Sequence, residues 1–256
     1  MGELTAEKYR ELFRMRAEGK LPDMECTKSL YRLLKPLHFD GMSILDMPCG
    51  TGHYYRKLRQ LGKIRYLGID IDEKMIATAN EIWKGEPNAK FRKGSALELE
   101  LEDNSVDVVF CYNLLLHLPP EYCESVISEL YRVSKRYVLI RSLFDDVSKV
   151  ELFTAPTDYK DVYGNSIYYN TYARSDIQSF CNEGLGALRV TFMQDIAKVP
   201  EATLKQQEKV LGVDPKEFAY GKTERSEYFK GLELNYEILM IEKPQKQKQT
   251  KLEGML

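Results

Sequence analysis

The sequence lacks the marks of membrane, secreted and zinc-binding proteins. It has no apolar run of about 18 residues, so we expect no membrane-spanning helix. Its five cysteines are scattered and none forms a CxxC pair, which argues against a metal site or a redox dithiol. Residues 1–20 are charged and contain no apolar signal-peptide core. We therefore expect a cytoplasmic protein with reduced thiols and no bound metal.

Histidine and excess charge are also scarce. The chain contains three histidines, and its formal net charge is −2 over 256 residues. A nearly neutral chain is not expected to wrap duplex nucleic acid, so nucleic acid is not a predicted partner. A chain of this length can bury about three-quarters of its unfolded surface, which is enough for one full core with additions.

The first 145 residues alternate short apolar runs with helical patterns. These runs predict five strands, at 43–46, 65–70, 90–92, 106–111 and 137–141, and two later runs predict strands at 188–192 and 235–241. The helical patterns and their caps predict helices at 4–18, 27–35 with a Thr27 cap, 53–61, 72–84, 120–134, and from a Ser175–Gln178 capping box to about 184. Repeated β-α units predict an α/β fold with an open, mostly parallel sheet of about seven strands and helices on both faces.

Segments outside this alternation are predicted to cover a site. We expect an N-terminal helical cover at 1–40, a ligand-binding domain at 41–243 and a flexible tail at 244–256. Insertions at 145–172 and 195–232 break the rhythm, and connections of that length are usually functional or disordered. The first is rich in tyrosine, which favours either an aromatic wall of a pocket or ordinary packing of a long loop.

The most informative segment is 44–54, ILDMPCGTGHY, where an apolar strand ends in Asp46 and a glycine turn leads directly into a helix. Such a turn presents backbone N–H groups and the positive end of a helix to a ligand. The third glycine of a dinucleotide fingerprint is replaced by Tyr55, and no Gly-Lys-Ser/Thr of a phosphate-binding loop follows. Asp46 would repel a pyrophosphate, so it favours a ligand that carries a cation.

A second acid completes the pattern. Asp70 ends the second strand, twenty residues after Gly50, where a carboxylate can accept hydrogen bonds from both hydroxyls of a ribose. A ribose, a positive group and no phosphate describe S-adenosylmethionine. The glycine turn on its own is equally compatible with a simple βα connection, and Asp70 could also cap a helix, although Asp72 is the better cap.

The chain resembles the class I S-adenosylmethionine-dependent methyltransferases over residues 40–145. Five motifs occur in the family's order: ILDMPCGTG, LGIDID with Met75, GSALELEL, VDVVFCYNLLLHL and YVLIRSLF. The resemblance implies a Rossmann-like fold, S-adenosylmethionine as cofactor and S-adenosylhomocysteine as product. Two residues depart from the usual pattern: Pro48 stands where many members have glycine, and Ser95 where aspartate is common.

The resemblance also implies which residues contact the cofactor. Its methionine part is assigned to Asp46, Pro48, Gly50 and Gly52, and its ribose to Asp70. Its adenine is assigned to Ile71, Met75, Ser95 and Ala96. We expect Tyr112 and Asn113 to face the methionine part and the substrate, and Tyr9 and Arg14 to contact the cofactor carboxylate. Several of these have structural alternatives: Met75 as plain core, Ser95 as a turn residue, and Tyr9 and Arg14 as a solvated helix face.

Methyl transfer from a sulfonium mainly requires an oriented acceptor and the exclusion of water, with a base only when the acceptor must lose a proton. His117, after the fourth strand, is the leading candidate base, with cover of a helix start as its alternative. Tyr168 and Tyr172 are candidate aromatic faces for the sulfonium. The sequence lacks both the Asp-Asn pair of magnesium-dependent catechol methyltransferases and the Asn/Asp-Pro-Pro-Tyr motif of many nucleic-acid and protein methyltransferases.

We therefore predict a metal-independent S-adenosylmethionine-dependent methyltransferase that acts on oxygen or nitrogen of a small molecule, as a monomer or homodimer. Two alternatives remain open. The acceptor could be a protein or RNA, or the chain could be a non-catalytic partner subunit that binds the cofactor.

Overall fold

The structure, a computed structural model, describes residues 6–154, 166–195 and 236–245. Most of the predicted insertion at 195–232 and most of the predicted tail at 244–256 therefore lie outside the described residues. The described helices are α1 (Ala6–Ala17), α2 (Glu25–Leu34), α3 (His53–Leu58), α4 (Glu73–Ile82), α5 (Cys123–Val133) and α6 (Arg174–Ser179). The described strands are β1 (Met42–Asp46), β2 (Ile64–Asp70), β3 (Ala89–Lys93), β4 (Val106–Tyr112), β5 (Ser134–Asp145), β6 (Lys149–Thr154), β7 (Ser166–Ala173), β8 (Arg189–Gln194) and β9 (Tyr236–Glu242).

All described strands join one sheet. The main path runs β3-β2-β1-β4-β5-β7-β6, while β9 pairs with both β5 and β8. The pairs from β3 to β7 along this path are parallel, and β9 is antiparallel to β5 and β8. The predicted open, mostly parallel sheet is confirmed, with nine described strands where about seven were expected.

The two additional strands lie in the 145–172 insertion, which the sequence predicted as a connection. β6 and β7 form an antiparallel hairpin, and the last residues of β7 pair with the end of β5. β5 consequently continues to Asp145, whereas the predicted strand stops at residue 141. The sequence SIYYNTYA of β7 is rich in residues that favour strands, but its tyrosines suggested a pocket wall instead.

The predicted helix caps had mixed outcomes. The Asp72 carboxylate accepts the N–H groups of Lys74 and Met75, so this cap is confirmed. The Thr27 cap is wrong, because α2 begins at Glu25 and Thr27 is buried within it. The Ser175 capping box is also wrong, because α6 begins at Arg174 and the Ser175 hydroxyl donates to the neighbouring carboxylate of Asp176.

The core lies on both faces of the sheet, as side chains that alternate along β4 show. Val109 and Cys111 pack in the cluster that holds α5 and α6, whereas Phe110 and Tyr112 pack in the cluster that holds α2, α3 and α4. Helix α1 packs outside α3 and α4. The carboxyl ends of the parallel strands carry the polar residues of the candidate site.

Candidate functional site

The glycine turn between β1 and α3 combines an open residue with a tightly packed one. Gly50 has a φ of 53°, and a Cβ there would meet no atom within 4 Å. Gly52 has a φ of 72°, and a Cβ there would lie 2.5 Å from the Phe91 ring. Gly52 is therefore required for packing and backbone shape, whereas the space above Gly50 is available to a ligand.

Asp70 joins this turn to the start of α4. Its Oδ2 accepts the Gly50 N–H at 2.8 Å, and its Oδ1 accepts the Asp72 N–H at 2.9 Å. Burial raises the pKa of the Asp70 carboxyl, although these backbone N–H groups counteract part of the effect. Asp70 thus does not cap α4 itself. Each carboxylate oxygen keeps a lone pair that can accept a hydroxyl.

Asp46 is a fully buried carboxylate with one oxygen left over. The Tyr66 hydroxyl donates to Oδ2, while Oδ1 is buried and has no hydrogen-bond partner among the described residues. Burial raises the pKa of Asp46 well above its ordinary value, against the opposing effect of the Tyr66 bond. A cationic ligand group beside Oδ1 would offset this burial.

Helix α1 and the first residue of α3 close the other side. Both ring nitrogens of His53 are buried and have no hydrogen-bond partner among the described residues. The imidazole packs edge-on against Phe13 at 4.9 Å between centroids. Burial, with the nearby Arg16 charge, lowers the pKa of His53 well below its ordinary value, so the imidazole is neutral.

Of the two residues predicted on α1, Tyr9 lies near the site and Arg14 does not. Burial raises the pKa of the Tyr9 hydroxyl to about 12, and the charge of Asp70 contributes to this rise. The Arg14 guanidinium instead forms two hydrogen bonds with Glu81 on α4, at 2.7 and 3.2 Å. The structure therefore does not bring Arg14 to the site, whereas Arg16 has a buried Nε with no hydrogen-bond partner among the described residues.

The residues predicted around an adenine surround the end of β2 and the turn after β3. Ile71 is 55% exposed next to the buried Met75, and the buried Ala96 packs in the core. The Ser95 hydroxyl accepts the Leu97 N–H at 3.2 Å, as its structural alternative requires. Pro48, at the other end of the site, is half-buried and follows a cis peptide bond.

A second polar group lies at the ends of β4 and β5. Arg141 stands beside Tyr112 in the strand register, and its guanidinium donates to Asn113 Oδ1 and to Asp195 Oδ2. The ring of Tyr236 lies 3.6 Å from the guanidinium carbon. Asn113 has a φ of 62° and donates its N–H to the Arg141 carbonyl at 2.9 Å. The Tyr112 hydroxyl and Asp195 Oδ1 are buried without a hydrogen-bond partner among the described residues.

The predicted catalytic residues lie between β7 and the segment that follows β4. His117 Nδ1 is 3.1 Å from the Tyr168 carbonyl oxygen, and its ring packs edge-on against Tyr169. The Tyr172 hydroxyl donates to the Leu115 carbonyl and accepts from the Asn170 amide. Tyr172 packs in the cluster on the opposite face from Tyr112, so the structure does not bring these two residues together.

Sequence reasoning missed Arg16, Arg141 and Asp195 as part of this candidate site. Arg16 follows Tyr9 by seven residues and therefore shares its helix face, whereas Arg14 does not, so helical spacing could have found it. A charged residue inside the apolar strand YVLIRSLF was the available signal for Arg141. Nothing near Asp195 in the sequence indicates that it reaches the site.

This sheet is open and mostly parallel, with a glycine turn and an acid at its carboxyl edge that can accept hydrogen bonds from a ribose. Such an arrangement is typical of α/β domains that bind adenosyl ligands. Residues 44–136 match the protein family described as "Methyltransferase domain". By this match, residues 44–136 belong to a methyltransferase domain. The predicted family is confirmed, and S-adenosylmethionine is the cofactor of that family.

Two curated relatives cover only this part of the chain. The malonyl-[acyl-carrier protein] O-methyltransferase of Pectobacterium atrosepticum is 33% identical over 105 residues, which are 40% of this chain and 38% of the relative. The demethylmenaquinone methyltransferase of Lactococcus lactis is 37% identical over 101 residues, which are 37% of this chain and 38% of the relative. The matched region spans less than half of each relative, so these matches identify the domain.

A solved structure supports the fold over a longer stretch. The magnesium protoporphyrin IX methyltransferase of Synechocystis PCC 6803, solved with bound S-adenosylmethionine, has a TM-score of 0.53 and 17% identity. The similarity covers 86% of this chain and 78% of that one.

The described residues contain neither a membrane-spanning helix nor a cluster of metal-binding side chains. Within 6–154, 166–195 and 236–245, no helix is both long and apolar enough to cross a bilayer. The same ranges contain no group of three or more histidine, cysteine or acidic side chains that could hold a metal ion.

Proposed function

We propose that this chain binds S-adenosylmethionine at the carboxyl ends of β1 and β2 and transfers its methyl group to a small-molecule acceptor, at oxygen or nitrogen and without a metal. The observation that carries the proposal is the Asp70 carboxylate, held by the N–H groups of Gly50 and Asp72 beside the open space over Gly50. This arrangement presents carboxylate lone pairs to a ribose diol where the backbone leaves room for it.

The unpartnered polar atoms fit the remaining parts of the cofactor. Asp46 Oδ1 would accept from the α-ammonium, and this contact would offset the burial of the carboxylate. Arg16 would face the α-carboxylate, because its buried Nε lacks a partner among the described residues. The neutral His53 would donate one ring N–H to the same methionine part. Ile71 and Met75 would flank the adenine.

Methyl transfer requires little covalent chemistry from the protein. The acceptor atom attacks the methyl carbon in line with the carbon–sulfur bond, whose electrons leave on sulfur to give a neutral thioether. The protein's task is to hold the two reactants in line and to exclude water. We propose that α1 and α2 cover the cofactor and that the β6–β7 hairpin borders the acceptor side. The names of the two curated relatives support a small-molecule acceptor.

Calorimetric titration with S-adenosylhomocysteine tests the binding step. We expect Asp70→Asn to weaken affinity by about tenfold or more, because an amide can accept from only one of the two hydroxyls and loses the charge-assisted bonds. Asp103→Asn is the matched control, since Asp103 is exposed and pairs with Arg132 away from the site. Unchanged affinity in Asp70→Asn, or saturable binding of NAD or ATP in place of the adenosyl ligand, would contradict the proposal.

Transfer is tested separately with S-adenosylmethionine that carries a labelled methyl group. We expect label to move to low-molecular-weight acceptors of a cell extract and not to its protein or RNA fraction. Label recovered mainly in protein or RNA would replace the small-molecule acceptor with a macromolecule. Tight binding with no transfer would identify a non-catalytic partner subunit.

A further inference from the structure

Two buried polar atoms beyond the cofactor side remain to be explained. The Tyr112 hydroxyl and Asp195 Oδ1 have no hydrogen-bond partner among the described residues, although these residues are only 3% and 5% exposed. A buried polar atom without a partner costs about 1–3 kcal/mol, so such atoms are rare unless a ligand uses them. These two belong to different elements, the end of β4 and the residue after β8.

Arg141 brings the two groups together. It neighbours Tyr112 across the β4–β5 register and donates its Nε–H to Asp195 Oδ2 at 2.5 Å. The Asn113 amide and the Tyr236 ring hold the other sides of the guanidinium. The charges of Asp195 and Arg141 both act on the pKa of Tyr112, which burial raises well above its ordinary value. The phenol therefore remains protonated and can donate a hydrogen bond.

Tyr112 and Asp195 together determine which chemical group can lie between them. An ionised Asp195, stabilised by Arg141, only accepts hydrogen bonds, whereas the Tyr112 hydroxyl can donate one. A carboxylate in that position would face the charge of Asp195 Oδ1, and a carbon acceptor would satisfy neither atom. A hydroxyl or an amine satisfies both, because each has a hydrogen to donate and a lone pair to accept.

We propose that Tyr112 and Asp195 bind the methyl-accepting atom itself, and that this atom is an oxygen or nitrogen that carries a hydrogen. The inference rests on the proposed methyltransferase function. As the acceptor forms its bond to the methyl carbon and the carbon–sulfur bond breaks, the acceptor proton passes to Asp195 Oδ1 and then to water. Arg141 is a positioning residue, which orients Asp195 through their ion pair.

The first experiment needs no acceptor. Thermal unfolding of the ligand-free protein should show Tyr112→Phe at the wild-type midpoint or above, because the lost hydroxyl has no hydrogen-bond partner among the described residues. Tyr172→Phe is the matched control, and we expect it to lower the midpoint by about 2–4 °C, since its hydroxyl makes two hydrogen bonds. An equal loss in Tyr112→Phe would show that this hydroxyl is bonded in the empty protein and would overturn the proposal.

The second experiment identifies the atom methylated. Product carrying labelled methyl from extract acceptors is divided between alkali, which releases methanol from methyl esters, and hydriodic acid, which releases methyl iodide from O-methyl and N-methyl groups. We expect label that is stable to alkali and released by acid. Methanol released by alkali, or label retained through both treatments, would overturn the inference while leaving methyl transfer established.

Variants then separate this inference from the proposed function. Asp195→Asn should lower kcat/KM for the acceptor by about tenfold or more while S-adenosylhomocysteine affinity stays within about twofold of wild type. Failure of the wild type to bind S-adenosylhomocysteine would refute the proposed function. Normal cofactor binding with unchanged kcat/KM in both Asp195→Asn and Tyr112→Phe would refute only the acceptor assignment.

Discussion

At the scale of single residues, Asp46 shows how a binding group can oppose folding. Its carboxylate is fully buried, and only one oxygen has a partner among the described residues. Burial therefore disfavours the charged form and raises the pKa well above the ordinary value. A cofactor ammonium would reverse this penalty, so the residue favours the occupied state over the empty one.

We expect Asp46→Asn to stabilise the ligand-free protein and to weaken S-adenosylhomocysteine binding. A carboxyl whose pKa is higher in the folded state loses stabilising effect as pH rises through the folded pKa. The gain from Asp46→Asn should therefore be larger at pH 8 than at pH 5, as measured by chemical unfolding at both values.

Asp107→Asn provides the opposite case. Burial opposes ionisation of Asp107, but hydrogen bonds from Ser43 outweigh it and lower the pKa. This substitution should destabilise the protein above the unfolded pKa, with the loss fading as pH falls through the lower folded value. A stability loss in Asp46→Asn at pH 8 would show that its carboxylate is satisfied in the empty protein.

The residues that could be predicted are those whose role is local in sequence. Asp46, Gly50 and Gly52 lie in one turn, and the Asp72 cap follows from the spacing of its own helix start. Arg16 could be found only through its spacing from Tyr9. Asp195 could not be identified from its sequence neighbours, because its position depends on where β8 ends, which is set by tertiary packing.

At the scale of elements, the approach of α3 and α4 to β2 and β3 depends on glycines, which leave room for aromatic rings. Gly52 lies against the rings of Phe91 and Trp83, and Gly68 on β2 also contacts Phe91. The Trp83 indole N–H donates to the Thr51 carbonyl, which fixes the turn against α4. This contact holds the glycine turn in the shape that leaves Gly50 open.

Gly52→Ala should destabilise the protein by about 2–4 kcal/mol, because the new Cβ overlaps Phe91 and a positive φ is unfavourable for alanine. Gly85→Ala is the matched control, since it also has a positive φ but meets no atom within 4 Å. We expect the control to lose about 1–2 kcal/mol in chemical unfolding. Equal losses would mean that the ring contact adds nothing.

The strands and helices up to β5 were predictable because their apolar residues form recognisable patterns: β4 (VDVVFC) is a continuous buried run, and α5 buries one apolar face. The β6–β7 hairpin was not, because its strands join the sheet beyond residue 141 and their pairing partner is set by the extension of β5. The tyrosine-rich sequence of β7 carries no apolar period that separates it from a loop.

At the scale of the whole molecule, the site is built from α1, β1, β2, β4, β5 and β8. A ligand bound there touches elements from much of the described chain and should stabilise it as a unit. At about 100 times its dissociation constant, a ligand adds about 2.7 kcal/mol, which shifts the midpoint of a protein of this size by about 5–10 °C.

We therefore expect S-adenosylhomocysteine to raise the thermal midpoint by that amount, and NAD and ATP to leave it unchanged, in a fluorescence melt. Asp70→Asn, with an affinity about tenfold lower or less, should lose about half of the shift or more at the same ligand concentration. A rise with all three ligands would indicate non-specific stabilisation and contradict an adenosyl-selective site.

Leu143 marks a fork in the sheet, because it pairs with Thr171 of β7 and also with Tyr236 of β9. The hairpin is attached to β5 only through Leu143, Phe144 and Asp145, whereas β9 pairs along the stretch before them. Replacing this hairpin with one of another length would leave intact the strands that carry the proposed cofactor site. The fork thus separates the strands of the proposed cofactor side from the hairpin that we propose to border the acceptor.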